Sequence, residues 1–206
     1  MGAGKTGLLI ATRNRGKLRE MQQLLADLPL SLLSLDDFPP AGDVEETGAT
    51  FEENAALKAR AYAARTQCWA LADDSGLEVD ALGGAPGVLS ARYAGDGATE
   101  AERNAKLLNA LSRTGDRERR ARFVCCVAVA DPQGNVAHLS VGKCEGVIAD
   151  APRGHNGFGY DPLFVPEGYG LTFGELSDDI KGEISHRARA LAQARAFLLE
   201  HFRAEA

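Results

Sequence analysis

No apolar run in this 206-residue chain approaches the ~18 residues needed to cross a bilayer as a helix. The N-terminus lacks a long apolar h-region, which predicts no secretory signal. Positive charge is not in excess either: the formal net charge is −6. A protein that binds DNA or RNA generally shows a basic face or stripe, so that class is disfavoured. A single nucleotide remains possible, because it needs only a local cluster of cations and backbone N–H groups. Cysteine is scarce. Cys68, Cys125, Cys126 and Cys144 fit no common zinc spacing. They read as reduced, small apolar residues, in keeping with a cytoplasmic location. Repeats and low-complexity linkers are missing. What is left, 45 % hydrophobic and 25 % charged, is an ordinary soluble globular composition. The length suits one domain, or one domain with two closely joined lobes, and needs no disulfide or structural metal for its core.

Gly7–Ala11 is a short apolar run that reads as a buried strand. Thr12–Lys17 follows as a polar loop, and Leu18, Met21, Leu24, Leu25 and Leu28 recur at helical spacing, giving a helix over roughly 17–28. Residues 30–35 suit a second strand and 36–49 a loop. Thr50 and Glu53 form a capping box ahead of an Ala-rich helix to about residue 65. Residues 69–72 read as a short strand that stops at Asp73-Asp74-Ser75-Gly76. Thr99 and Glu102 open a second capped helix to about Leu111. Residues 121–130, a turn at 131–135 and residues 136–141 predict a β-hairpin; residues 147–148 suit a further strand. A Gly/Pro-rich loop spans 152–162, a strand covers 163–165, and Ser185-His186-Arg187 opens a final helix. Helical crossovers early and a hairpin late predict an α/β fold with a mixed sheet.

Asp73 and Asp74 are the first candidate site. Carboxylates at the end of a strand in an α/β sheet face the ligand crevice, and adjacent strand residues point oppositely, so one of the two faces it. Hard oxygen ligands suit Mg²⁺, bound by one or two carboxylates plus phosphates. The same residues also suit a solvated turn. Glu45 and Glu46 lie in a loop able to supply a second carboxylate, or are plain surface acids. Thr12–Lys17 place hydroxyl, amide, guanidinium and ammonium groups at a helix N-terminus, a natural phosphate site, or simply form a βα turn. In Asn156–Pro162, glycines admit a ligand close to the backbone, Phe158 offers a stacking face and Asp161 an acceptor. Lys181, His186 and Arg187 add cations beside the last helix. Gly2–Thr6 resembles the tail of a Walker A loop, but no strand precedes it and one follows, so residues 1–6 read as an N-terminal extension.

The order of the motifs is more specific than any one of them. Thr-Arg-Asn-Arg-Gly-Lys (12–17), Glu-Glu-Thr-Gly (45–48), Thr-Phe-Glu-Glu-Asn-Ala-Ala-Leu-Lys-Ala (50–59) and Ala-Asp-Asp-Ser-Gly-Leu (72–77) come first. Leu-Gly-Gly-Ala-Pro-Gly (82–87), Ser-Ala-Arg-Tyr (90–93), Gly-Phe-Gly-Tyr-Asp-Pro (157–162) and Ile-Ser-His-Arg (184–187) complete the series. From about residue 8 to about residue 200 the chain closely resembles the inosine/xanthosine triphosphate pyrophosphatase family. The resemblance implies a two-lobed α/β fold with a central mixed sheet flanked by helices and an active-site cleft between the lobes. It makes residues 1–206 a single pyrophosphatase domain and the protein a homodimer; the acidic charge and the lack of long apolar runs predict no nucleic-acid or membrane partner. Such enzymes hydrolyse dITP, ITP and XTP to the monophosphate and pyrophosphate with Mg²⁺.

Carried onto this chain, Thr12, Arg13, Asn14, Arg15, Gly16 and Lys17 hold phosphates. Asp74 is general base and metal ligand, and Ser75 contacts the substrate. Phe158, Gly159, Tyr160, Asp161, Lys181, His186 and Arg187 frame the nucleotide. Glu45 is placed as a further metal carboxylate, although Glu46 stands next to it. Arg13 departs from the glycine that many members carry there. The implied chemistry is attack on phosphorus by a water that Asp74 deprotonates, with cations stabilising the leaving pyrophosphate. A Maf-like pyrophosphatase and a non-catalytic nucleotide sensor are the rival readings. The Phe-Gly-Tyr-Asp and Ser-His-Arg elements argue against the first, the intact Asp73-Asp74 pair against the second.

Overall fold

The computed structural model describes residues 6–40 and 42–203. Apart from Thr6, the expected N-terminal extension lies outside the described residues. The elements run β1 (Gly7–Ile10), α1 (Arg15–Leu24), β2 (Ser31–Ser34), α2 (Phe51–Thr66), β3 (Trp69–Val79), α3 (Glu100–Ser112), β4 (Arg120–Ala130), β5 (Val136–Ile148), β6 (Phe164–Pro166), α4 (Asp178–Ile184) and α5 (His186–Arg203). The six strands form one sheet in the order β2-β1-β3-β4-β5-β6. β1 pairs in parallel with β2 and β3, and β5 pairs antiparallel with β6, so the sheet is mixed, as the alternation of elements predicts. Among the described residues no helix is long and apolar enough to cross a membrane.

The chain folds as two compact units. The first holds the described residues through Asp74, Cys125–Gly142 and those from Ala188 on; the second holds Ser75–Val124 and Lys143–Arg187. The first unit's core joins Leu8 and Ile10 of β1, Met21 of α1, Leu71 of β3, Cys125, Val127 and Val129 of β4, and Leu191, Leu198 and Phe202 of α5. The second has its own core of Leu77, Val79, Leu107, Phe123, Ile148, Phe164 and Phe173, with the ring of Phe123 edge-on to Phe164 at 4.7 Å, a preferred aromatic geometry.

Several elements differ from the sequence expectation. β3 does not stop at Asp73: it runs unbroken through Asp73, Asp74, Ser75 and Gly76 to Val79, because both carboxylates find donors on neighbouring elements and stay buried. β5 is one strand of thirteen residues, not a strand to 141 and a second at 147. Exposed Lys143, Glu145 and Val147 alternate with buried Cys144 and Ile148, so the period of two continues through the glycines that interrupt the apolar pattern. α1 begins at Arg15 and ends at Leu24; Leu25 and Leu28 still reach the core from the turn beyond. The box at Thr99 and Glu102 is complete. At the other, Thr50 accepts the Glu53 N–H, while the Glu53 carboxylate takes the N–H of Ala49 rather than that of Thr50. α4, short and polar, has no counterpart in the sequence reading.

Cys125 and Cys126 point to opposite faces of β4 and both are fully buried. Burial, reinforced by the carboxylates of Glu52, Asp74 and Asp73, pushes the Cys126 thiol up to about 12. At about pH 8 only ~10⁻⁴ of it is thiolate. Iodoacetamide applied to the folded protein should therefore leave Cys126 unmodified while the half-buried Cys68 is alkylated. Peptide mass spectrometry checks this, and alkylation of Cys126 without unfolding would contradict it.

Candidate active site

In the first unit the site starts at the end of β1. The Thr12 hydroxyl accepts the N–H of Asn14 at 3.2 Å. The Asn14 carboxamide oxygen accepts the N–H groups of Gly16 at 2.8 Å and Lys17 at 3.1 Å, capping α1. This places Lys17 in the first turn, where its ammonium meets Asp73 Oδ2 at 3.1 Å. The Cys125 thiol donates to that same oxygen at 3.7 Å.

Asp74 points the other way and is served by α2. Asn54 Nδ2 donates to Asp74 Oδ2 at 3.1 Å, and Lys58 Nζ donates to Oδ1 at 3.3 Å. Lys58 also binds Glu46 Oε1 at 2.6 Å. In this group three carboxylates, Glu46, Asp73 and Asp74, stand against two ammonium groups, Lys17 and Lys58. Burial raises the Asp74 carboxyl above the ordinary aspartate range; Lys58 and Lys17 pull it down, but Glu46 and Asp73 add to the rise. Burial lowers the Lys58 ammonium, yet Asp74, Asp73 and Glu46 outweigh it and the net shift is upward.

Such a set of hard oxygen donors fits Mg²⁺, which keeps several waters and takes one or two carboxylates together with substrate phosphates. Among the described residues no three His, Cys, Asp or Glu side chains close on one point, and a cation bound in this way does not require them to.

In the second unit the loop at 157–161 turns back on Asp161. Asp161 Oδ2 accepts the Phe158 N–H at 2.7 Å and the Lys181 ammonium at 2.6 Å. Gly157 has φ +73° and lies so close that a Cβ would overlap Asp161 Oδ2, which makes glycine the residue that fits. Lys181 Nζ sits 4.8 Å from the Phe158 ring centroid and the Arg187 guanidinium 5.6 Å from it, so a half-buried aromatic face carries two cations. Arg187, 1 % exposed, donates to Ser75 Oγ at 2.9 Å. His186 stacks on Phe123 at 4.7 Å.

The residues picked from sequence therefore fall into two sets. Lys17 and Asp74 stand in the first group; Ser75, Phe158, Asp161, Lys181 and Arg187 meet in the second. Others are placed differently. Glu45 is exposed, and the carboxylate tied through Lys58 to Asp74 is Glu46. Arg13 forms an ion pair with Asp43 and lines a cavity with Phe38, Tyr62 and Arg65, away from the acidic group. Arg15 is exposed. Tyr160 is buried and its hydroxyl donates to the Ser90 carbonyl at 3.0 Å. The Gly159 carbonyl accepts from Asn104 at 3.2 Å.

Asn54 and Lys58 carried no role in the sequence reading. The signal for Asn54 was present: on α2 the stripe Phe51, Ala55, Ala59, Tyr62 and Ala63 is buried, and Asn54 interrupts that apolar face.

Residues 8–197 match the model of the Ham1 family. The dITP/XTP pyrophosphatase of Geobacter sulfurreducens is 54 % identical over 187 residues, covering 91 % of this chain and 94 % of its own. That of Listeria monocytogenes serovar 1/2a is 49 % identical over 193 residues, covering 94 % and 95 %. Among solved structures, a HAM1 protein from Coxiella burnetii superposes with a TM-score of 0.87 at 46 % identity, over 95 % of this chain and 99 % of that one. The Ham1 protein of Staphylococcus aureus gives 0.84 at 42 % identity, over 95 % and 100 %.

Proposed function

This chain belongs to the Ham1 family, and from that premise we propose that it hydrolyses non-standard purine nucleoside triphosphates, dITP, ITP and XTP, to the monophosphate and pyrophosphate. The observation that carries the mechanism is the buried acid–cation group around Asp74. Its carboxylate, held at Oδ1 by Lys58 and at Oδ2 by Asn54, is positioned to orient a water and accept its proton as that water attacks phosphorus. The upward shift of Asp74 moves it towards the range useful for a base near neutral pH. Lys17 stabilises charge that builds on the leaving pyrophosphate. Because the Asn14 cap already occupies the N–H groups of Gly16 and Lys17, phosphate oxygens are met by the Arg15 N–H and the Thr12 hydroxyl. Mg²⁺, held by Asp74 and Glu46, would offset the negative charge of those acids and of the phosphates.

Base recognition is assigned to the group around Phe158. Phe158 stacks on the purine, and the donors of Lys181 and Arg187 suit a 6-oxo group, which accepts hydrogen bonds where a 6-amino group donates them. We read the whole chain as one functional pyrophosphatase, homodimeric and cytoplasmic, with no nucleic-acid or membrane partner. The family resemblance supports the dimer, and the acidic balance argues against nucleic acid.

The test is to supply ITP, XTP, dITP, ATP and GTP with and without Mg²⁺ and to quantify pyrophosphate and orthophosphate separately. Pyrophosphate release from ITP and XTP should exceed that from ATP by about 100-fold or more, and only with Mg²⁺. Orthophosphate as the direct product would mean that a different bond is cut and would overturn the mechanism.

A further inference from the structure

Asn54 is 1 % exposed, and its two ends serve different parts of the chain. Oδ1 accepts the N–H of Gly48 at 2.8 Å; Nδ2 donates to Asp74 Oδ2 at 3.1 Å. One helical turn later Lys58 repeats the arrangement, reaching Glu46 Oε1 and Asp74 Oδ1. Two residues at i and i+4 of α2 thus each tie the segment around Glu46–Gly48 to one oxygen of Asp74. That segment has no helix or strand of its own, so side-chain anchors set its position. Gly48 is seated tightly: a Cβ there would come within 2.7 Å of Asn54 Oδ1.

The job needs a donor and an acceptor on one short, uncharged side chain. Asparagine supplies both; an ionised aspartate cannot donate, and an apolar residue does neither. A second ammonium would bind Asp74 more tightly and cancel more of the negative charge. The terminal torsion of a carboxylate is soft. With Oδ2 held by the amide and Oδ1 by the ammonium, Asp74 cannot turn freely and its oxygens become inequivalent.

We propose that Asn54 is a positioning residue for hydrolysis, holding Asp74 and the Glu46-bearing segment in one fixed register. The proposal rests on the reading of Asp74 as the base. Asn54→Asp and Asn54→Ala separate its two arms. The aspartate keeps an acceptor for the Gly48 N–H but loses the donor to Asp74; the alanine loses both without adding charge. Two readouts are needed: kcat and KM for ITP at saturating Mg²⁺, and hydrogen exchange at the Gly48 amide in the metal-free protein.

Both variants should lose kcat by about 10–100-fold with KM within about threefold of wild type, as for a group that acts on the geometry of the reacting step. The Gly48 amide should exchange slowly in wild type and Asn54→Asp, and faster in Asn54→Ala. A kcat for Asn54→Asp within about threefold of wild type would overturn the proposal, and so would a rise in KM alone. Unchanged Gly48 exchange in Asn54→Ala would remove the loop arm. Should the alanine variant fail to fold, the aspartate variant carries the test. Failure of the base reading itself looks different: Asp74→Asn would keep a near-wild-type rate on ITP, while the exchange measurements would still report on the anchor.

Discussion

Asp74→Asn is expected to lower kcat for ITP by about 10²–10⁴-fold, the usual contribution of a positioned general base, in a protein that remains folded. Asparagine keeps the volume of the side chain and one oxygen acceptor, so either Asn54 or Lys58 retains a partner in the buried group. It loses the charge and the ability to take a proton. Steady-state pyrophosphate release, with circular dichroism on the same sample, checks both halves. A folded variant that works at near-wild-type rate would remove Asp74 from the mechanism and direct attention to Asp73 and Glu46.

The largest stability effect is expected at Lys181→Met. Lys181 and Asp161 form an ion pair at 2.6 Å with side chains only 6 % and 4 % exposed. Methionine fills similar space but leaves Asp161 buried without that ammonium. Breaking one side of a buried pair typically costs about 3–5 kcal/mol, so the melting temperature should fall by on the order of 10 °C for a chain of this size. Asp161 Oδ2 still accepts the Phe158 N–H, which tempers the loss. The double variant Lys181→Met/Asp161→Asn should recover part of the fall, since it removes the stranded charge. The activity readout separates a recognition role from a structural one. If Lys181 reads the base, the ITP/ATP rate ratio collapses in both variants, whereas a purely structural lysine would leave the ratio intact in the double variant. Thermal melts and the two-substrate assay together decide this.

How much of this was legible in the sequence depends on whether the cause is local. The β1–loop–α1 unit, the β4–β5 hairpin and the capped start of α3 follow from periodicity and capping chemistry within a few residues, and all are present. The course of β3 was not legible. Two adjacent aspartates look like a strand end until Lys17, from α1, and Asn54 and Lys58, from α2, are known to meet them. Those contacts span from 16 to more than 50 positions in the chain, and no window of sequence contains them. Glu45 and Glu46 are indistinguishable as letters; the path of an irregular segment decides which one meets Lys58. The ion pair of Arg13 was hidden in the same way, because its partner, Asp43, lies in another loop. The role of Asn54 was only partly hidden. An amide on the buried stripe of an alanine-rich helix is costly unless bonded, and that cost points to a partner.

The uninterrupted course of β3 has a consequence for how this sequence can drift. Asp73 faces the α1 lysine and Asp74 faces the α2 donors, on opposite sides of a strand whose side chains alternate with every residue. A point substitution changes one letter and leaves that alternation intact. A single-residue insertion or deletion between Trp69 and Asp74 would exchange the two faces and hand each acid the other's partners, in a strand buried on both sides. Along residues 69–79 length is therefore as constrained as identity, and tolerated insertions and deletions belong in the turns, such as that at 131–135.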